Sequence, residues 1–403
     1  MVLGLRTRIP FPKWKRTSFD QQSGVQMIAV AALVFAACLS TPNGSDAARP
    51  FIRQTVVYRA NDGGYAAHRI PALLATSKGT LLAFCEARSG SASDSAPTAI
   101  VLRRSVDAGN TWMQAQVVAR FPGVTAGNPT PVEDRTTGVV WLLLTASPAG
   151  VTEKQIDERS PKGARTVWIT HSSDEGIHWA AAKEITSSTK KSDWTWYATG
   201  PGNGIQLEDG RLVVPCDHKL AGTGAFYSHV IYSDDHGETW KIGGSAGPET
   251  NESAVVQLAD GSLLLNMRSY AGKHHRAIAL SHDGGLAWSP VRLDPTLIEP
   301  ICQASMIRYT LATEAGRDRL LFSNPADTTR RDRMTVRLSY NEGKTWPVAR
   351  MIYAGPSAYS SLAVLHDGTV ALLYERGTAN ADEEIEFACF NLTWLAHGAD
   401  HFN

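Results

Sequence analysis

The chain has 403 residues, 43% of them apolar, and its 39 lysines plus arginines balance 39 aspartates plus glutamates. That length and apolar share support a substantial core in one to three domains and exclude a disordered chain. Balanced charge creates no strong field toward polyanions, so nucleic acid is not an expected partner.

The first predicted element is a leader. Arg6, Arg8, Lys13, Lys15 and Arg16 precede an uncharged run from Val25 to Ala37, and small residues around "SDAA" follow it. A basic start, a short apolar segment and a small-residue exit predict an export signal over residues 1–48. The run is too short to span a bilayer, so no stable membrane span is expected once the leader is removed. Cys38 falls in the leader, leaving Cys85, Cys216, Cys302 and Cys389 with no CxxC spacing. Buried thiols are expected.

Two patterns then alternate along the chain. One is a polar turn containing glycine followed by an apolar run: "SKGTLLAFCE", "RTTGVVWLLLT", "EDGRLVVPC", "ADGSLLLNM", a degenerate "GRDRLLFSN" and "HDGTVALLY". Each run predicts an inner strand buried on both faces, entered through a tight hairpin. Between the runs lie five octets: "SVDAGNTW" at 105, "SSDEGIHW" at 172, "SDDHGETW" at 233, "SHDGGLAW" at 281 and "SYNEGKTW" at 339. In each, Ser and Asp can accept from nearby backbone N–H groups, Gly permits the turn and Trp packs between sheets. The positions Asp107, Asp174, Asp235, Asp283 and Asn341 are therefore structural. An obligatory acid could not be replaced by the amide of Asn341.

From Gly79 to Gly368 is 289 residues over five intervals, about 58 per repeat, the size of a four-stranded propeller blade with its loops. The expected fold is all-β, a six-bladed β-propeller over residues 49–396, with 397–403 a C-terminal tail. "RQTVVYRA" at 53 and "EIEFACFNLTWL" at 384 are expected to share a blade and close the ring, removing the exposed edge.

A propeller gathers its loops at the two mouths of a central channel, where a site draws residues from several blades. Strands here lead into "CEARSGSASDSAP", "NMRSY", "SNPADTTRRDRMTVRLS" and "LYERG", and "YAAHRIPALL" precedes the first run. With "HRIP", the five octets, "NESAVVQLADGSLLLNMRS", "RRDRMTVRLSYNEGKTW" and "GPSAYSSL", the whole chain after the leader resembles the exo-α-sialidases, especially the lysosomal and bacterial branch. The octets alone are weak evidence. The arginine, tyrosine and glutamate motifs in this order are much more specific.

The resemblance implies that Arg69, Arg268 and Arg331 bind the sialic acid carboxylate, for which a planar, permanently charged fork is suited. Arg330 and Arg333 compete with Arg331 for the third place. Tyr359 and Glu252 resemble the family's nucleophile and its base. A neutral phenol avoids the repulsion a carboxylate would meet at an anomeric carbon that itself bears a carboxylate, but it needs a base to take its proton. Asp94 resembles the acid/base, Arg88 a further substrate contact, and Glu375 a partner that orients Arg69.

The implied substrates are sialylated glycoproteins, glycolipids or oligosaccharides, and the implied location is outside the cytosol: secreted, periplasmic, cell-surface, or lysosomal in a eukaryote. A noncatalytic sialic-acid-binding lectin would keep the octets while losing Asp94, Tyr359 or Glu252, all present here. A hydrolase or trans-sialidase for a related nonulosonic acid would keep the same arginines. "GNPTPVEDRTTGVVWL" and "ATGPGNGIQL" are expected as tight loops near the channel mouth, without assigned chemistry. The histidines at 274–275, 397 and 401 have no third ligand in sequence view, and no glycine-rich phosphate cradle precedes a helix, so no metal or cofactor is expected. Sequons begin at Asn43, Asn251 and Asn391; that at Asn251 adjoins the expected base.

Overall fold

The computed structural model describes residues 49–161 and 163–402. The expected leader, residues 1–48, lies outside the described residues. The described chain is all-β: twenty-four strands, with four helices of only four or five residues.

The six apolar runs form the strands Leu81–Arg88, Val139–Pro148, Leu212–Leu220, Leu263–Ser269, Arg319–Pro325 and Val370–Arg376. Leu81–Arg88 is buried at all eight positions. Burying each such leucine contributes about 1.5–3 kcal/mol, so runs like this dominate the core. They are not innermost, as expected from sequence, but second in order. Antiparallel to them, on the side where neighbouring sets of strands meet, run Ala67–Ala75, Val124–Asp134, Trp194–Thr199, Thr250–Gln257, Ser305–Thr310 and the second half of Val348–Val364. Ala67–Ala75 touches both Val124–Asp134 and Val348–Val364, and Ser305–Thr310 touches Thr250–Gln257 and Val348–Val364. Trp194–Thr199 touches Val124–Asp134, and Leu212–Leu220 touches Thr250–Gln257, so the succession returns to its start. Prolines and polar residues in "HRIP", "GNPTP" and "GPSAYSS" hide these strands from an apolar pattern.

The two termini meet: Ile52–Arg59 pairs antiparallel with Glu384–Phe390, Ile52 opposite Phe390. Beyond them Asp400 is buried and receives two 2.8 Å hydrogen bonds from Arg319, while the Phe402 and Tyr309 rings lie 5.8 Å apart. The octets form one repeated network. Ser233 Oγ donates to Asp235 Oδ1 and accepts from Gly237 N, both at 2.8 Å. Asp235 in turn accepts from Thr239 N at 2.9 Å and from its hydroxyl at 2.6 Å. Asn341 does the same work as an amide, accepting from Thr345 N and donating to Thr345 Oγ1, both at 2.9 Å. The tryptophans reach back to the preceding set of strands, Trp112 to Phe387 at 5.2 Å and Trp179 to Phe84 at 5.7 Å. Register fixes where the octets sit: Leu81 pairs with Ser105 while Arg88 pairs with Thr98, so octet and Arg88 occupy opposite ends of the strands.

Candidate active site

At the Arg88 end, five first strands break register: between Arg69 and Ala72, Gly127 and Thr130, Trp194 and Tyr197, Thr250 and Ser253, and Ser357 and Ser360. A bulge places two residues opposite one and re-aims a side chain out of the regular alternation. These five irregularities hold Arg69, Asn128, Trp196, Glu252 and Tyr359, all of which line one cavity of about 450 Å³. Ile70 and Asn128 adopt φ of 58°, a costly conformation for a β-branched residue such as Ile70. At Gly127 a Cβ would lie 2.6 Å from Glu86 Oε1, so a side chain there would displace the carboxylate that accepts from Asn128 N.

Seven of the eight expected residues, Arg69, Arg88, Asp94, Glu252, Arg268, Arg331 and Tyr359, line this cavity. Tyr359 is buried, and its hydroxyl donates to Glu252 Oε1 at 2.6 Å. Burial, and then the Glu252 charge, push the phenol well above its usual pKa. Both effects favour the protonated, neutral form of the phenol. Arg268 Nη1 bridges the pair, 2.8 Å from Glu252 Oε2 and 3.4 Å from Tyr359 Oη. Burial opposes the Arg268 charge, but attraction to Glu252 outweighs it and holds the guanidinium ionised.

The eighth residue, Glu375, stands behind Arg69 and is fully buried. One oxygen accepts from Arg69 Nε at 2.7 Å and Ile70 N at 2.8 Å; the other accepts from Arg69 Nη2 at 3.2 Å and Tyr359 N at 3.0 Å. A single carboxylate thus fixes both the arginine fork and the backbone carrying the phenol. Asp382, not expected from sequence, adds a second contact to Arg69 Nε at 3.1 Å.

Among the three competing arginines, Arg331 alone lines the cavity. Its Nη2 donates to Ile301 O at 3.0 Å, whereas Arg330 pairs with Asp332 at 2.9 Å and Arg333 with Asp327 at 3.6 Å. The guanidinium carbons of Arg69 and Arg331 each lie 5.8 Å from the Tyr359 ring centre. Three guanidinium groups around one phenol suit a ligand that carries a carboxylate. Arg88 is clamped by Glu86 at 2.7 Å and reaches Asp94 at 2.7 Å, with the Asp94 side chain 88% exposed. Arg88 thus holds the loop acid through one carboxylate oxygen, while most of the Asp94 side chain faces solvent.

The cavity also contains residues that the sequence did not single out. "GNPTP" is not a loop: it lies in the strand Val124–Asp134, and Asn128 faces the cavity, accepting from buried Arg165. Arg165 also donates to Tyr197 O at 2.9 Å and stacks 4.2 Å from the Trp196 ring. "ATGPGNGIQL" begins in the strand Trp194–Thr199, and its Asn203 ties Leu73 O and Leu362 O at 2.7 and 3.0 Å. Asn251 is buried and donates to Asp217 Oδ1 at 3.0 Å, which makes its sequon inaccessible. Cys85, Cys216, Cys302 and Cys389 are buried free thiols.

Residues 79–372 match the family model described as a BNR repeat-like domain. The chain is 37% identical to a sialidase of Micromonospora viridifaciens across 82% of this chain and 52% of that protein. It is 31% identical to an exo-alpha-sialidase of Aspergillus fumigatus across 84% and 87% respectively. The solved Hadza microbial sialidase Hz136 superposes with a TM-score of 0.78 at 30% identity, over 85% of this chain and 69% of that one. A leech intramolecular trans-sialidase, at 21% identity and a TM-score of 0.75, shares the fold. This is a repeat-built all-β protein of the BNR type. It belongs to the sialidase family. The chain spans about half the length of its Micromonospora relative and 62% of a Bacteroides fragilis sialidase that is 32% identical to it.

Proposed function

We propose that this chain is a retaining exo-α-sialidase that releases terminal α-ketosidically linked sialic acid from glycoproteins, glycolipids or oligosaccharides. Arg69, Arg268 and Arg331 hold the substrate carboxylate. The Tyr359 hydroxyl attacks the anomeric carbon as Glu252 takes the phenolic proton, and Asp94 protonates the departing glycosidic oxygen. Water, activated by Asp94, then cleaves the tyrosyl intermediate, and two displacements at one carbon retain its configuration. The observation that carries this reading is the 2.6 Å hydrogen bond from a neutral, buried Tyr359 to Glu252, bridged by Arg268 within a cavity ringed by guanidinium groups.

The scaffold is read as a six-bladed propeller over residues 49–396. In support, the eight-stranded sheet divides at its one parallel contact, Thr98 with Thr125, and the seven-stranded sheet divides along the 17-residue strand Val348–Val364. Residues 1–48 are read as an export signal, so the enzyme acts outside the cytosol. No helix among the described residues is long and apolar enough to cross a membrane.

Release of fluorophore from an aryl α-sialoside tests the assignment. Wild type is expected to turn over, and Tyr359→Phe to lose at least about 10³-fold in kcat, because nucleophile and base act as a unit. NMR should detect the α-anomer as the first product. A β-anomer at early times would overturn the tyrosyl mechanism, and saturable sugar binding without any turnover would instead establish a lectin.

A further inference from the structure

Two of the three cavity arginines are braced by a pair of residues that lie outside the cavity. Arg276, on the strand His275–Ser281, and Glu299, just past the strand Arg292–Ile298, are fully buried and form an ion pair at 2.6 Å. Neither lines the cavity. A buried ion pair is so costly to desolvate that it is weak evidence for stability, so its presence calls for another reason.

Its contacts supply one. Glu299 Oε1 accepts at 2.7 Å from the backbone N–H of Ser269, the residue that follows Arg268. Arg276 Nη1, besides holding Glu299 Oε2, donates to Cys302 O at 2.7 Å, and Arg276 Nε donates to Asn266 Oδ1 at 2.7 Å. Between the two anchored residues, Ile301 adopts a φ of 56°, and its carbonyl accepts from Arg331 Nη2 at 3.0 Å. That conformation is costly for a β-branched residue and persists only where the surroundings enforce it. Here they do: Glu299 N donates to His274 O at 2.9 Å on one side, and Arg276 holds Cys302 O on the other. One ion pair thus grips the backbone beside Arg268 and the turn that seats the Arg331 guanidinium. Glu375 does corresponding work for Arg69 and Tyr359.

Resting on the sialidase reading above, we infer that Arg276 and Glu299 are positioning residues that fix the spacing of Arg268 and Arg331, so that both forks meet one carboxylate. Such a constellation must be held to within about 0.5 Å, which a buried, fully engaged pair can do and two independent surface arginines cannot.

The test is calorimetric binding to the full chain with two probes, the 2,3-dehydro form of N-acetylneuraminic acid and its primary carboxamide, which differ only in the group that the arginines hold. Wild type should prefer the acid by about tenfold or more, because charge-assisted hydrogen bonds to three guanidinium groups are lost with the charge. Glu299→Gln should cut that acid-to-amide ratio by at least about threefold, and a smaller change would overturn the assignment. A merely structural role would lower the Tm and the number of binding-competent molecules while leaving the ratio of affinities where it was. Asp400→Asn, which weakens the buried Arg319–Asp400 pair near the octets, is the control: it should lower the Tm and leave the ratio unchanged. An equal fall of the ratio there would show general loosening and would also overturn the assignment. Should Glu299→Gln fail to fold, Glu299→Asp decides by the same threefold threshold, since it keeps the charge but is one methylene too short to span Ser269 N and Arg276. Wild type that prefers the acid, with Glu299→Gln keeping that preference, sinks this inference alone. Wild type that binds both probes equally and leaves an aryl α-sialoside uncleaved sinks the sialidase reading and this inference with it.

Discussion

The two ends of the strands use the same kinds of residue in opposite ways. At one end, five octets repeat the same Ser–Asp–Gly arrangement, each carboxyl or amide satisfied by its own turn. At the other, each set of strands contributes something different: an arginine at 69, an asparagine at 128, a glutamate at 252, a tyrosine at 359. Their partners come from distant segments, Glu375 serving Arg69 from 306 positions away. What is repeated braces the fold, and what departs from the repeat forms the site. The physical reason is locality: a turn that satisfies its own hydrogen bonds can be copied, whereas groups that converge on one axis must differ to be complementary to one ligand.

The largest expected effect breaks that comparison at the cavity end. Glu252→Gln keeps shape and hydrogen-bonding capacity but cannot accept the phenolic proton, so kcat should fall by about 10²–10⁴. The Tm should fall by only a few degrees, because the amide oxygen keeps the bond from Arg268 while the amide nitrogen can donate to a Tyr359 hydroxyl turned to accept. Activity within threefold of wild type would remove Glu252 from the role of base.

At the octet end, Gly237→Ala should do the reverse. A Cβ there would lie 2.2 Å from the Trp141 indole, at a φ of +94°. Overpacking and left-handed strain together cost about 2–4 kcal/mol, so the denaturation midpoint should drop clearly while turnover per folded molecule stays at the wild-type value. A loss of kcat in the surviving folded fraction would show that the two ends are coupled.

How far each end was legible in the sequence follows from the same distinction. The octets and the glycine turns are encoded within eight or ten residues, so their positions, and the burial of runs such as Leu81–Arg88, could be read directly. The first strands could not, because bulges at Arg69, Asn128 and Glu252 break the period of two and prolines 71 and 129 break the apolar run. Arg69, Arg268, Arg331, Glu252 and Tyr359 were reached only through motifs resembling a family, and nothing local marks them. Asp382, Arg165 and Asp217 sit in "ANADEE", "RTVWIT" and "PCDHK", stretches with no signature. Their significance arises from what folding brings beside them, as when Asn251 meets Asp217 across 34 positions. The Asn–Pro pair at 128–129, inside an otherwise strand-like stretch, was a readable sign of a bulge.

The smallest effect is the sharpest form of the comparison, because it makes the same chemical change at the other end. Asp235→Asn converts a carboxylate to an amide, as Glu252→Gln does. At the octet, Asp235 accepts from Thr239 N and its hydroxyl, and Asn341 already satisfies the equivalent pair, accepting with its oxygen and donating with its nitrogen. The Thr239 hydroxyl need only turn to accept. Thermal unfolding should therefore shift by less than about 3 °C, the scale of one weakened hydrogen bond in a protein of this size, and kcat should not move. A catalytic loss at Asp235 comparable to that at Glu252 would mean that the octet carboxylates carry chemistry after all; an unchanged rate beside a crippled Glu252→Gln would show that position, and not residue type, separates bracing acids from reacting ones.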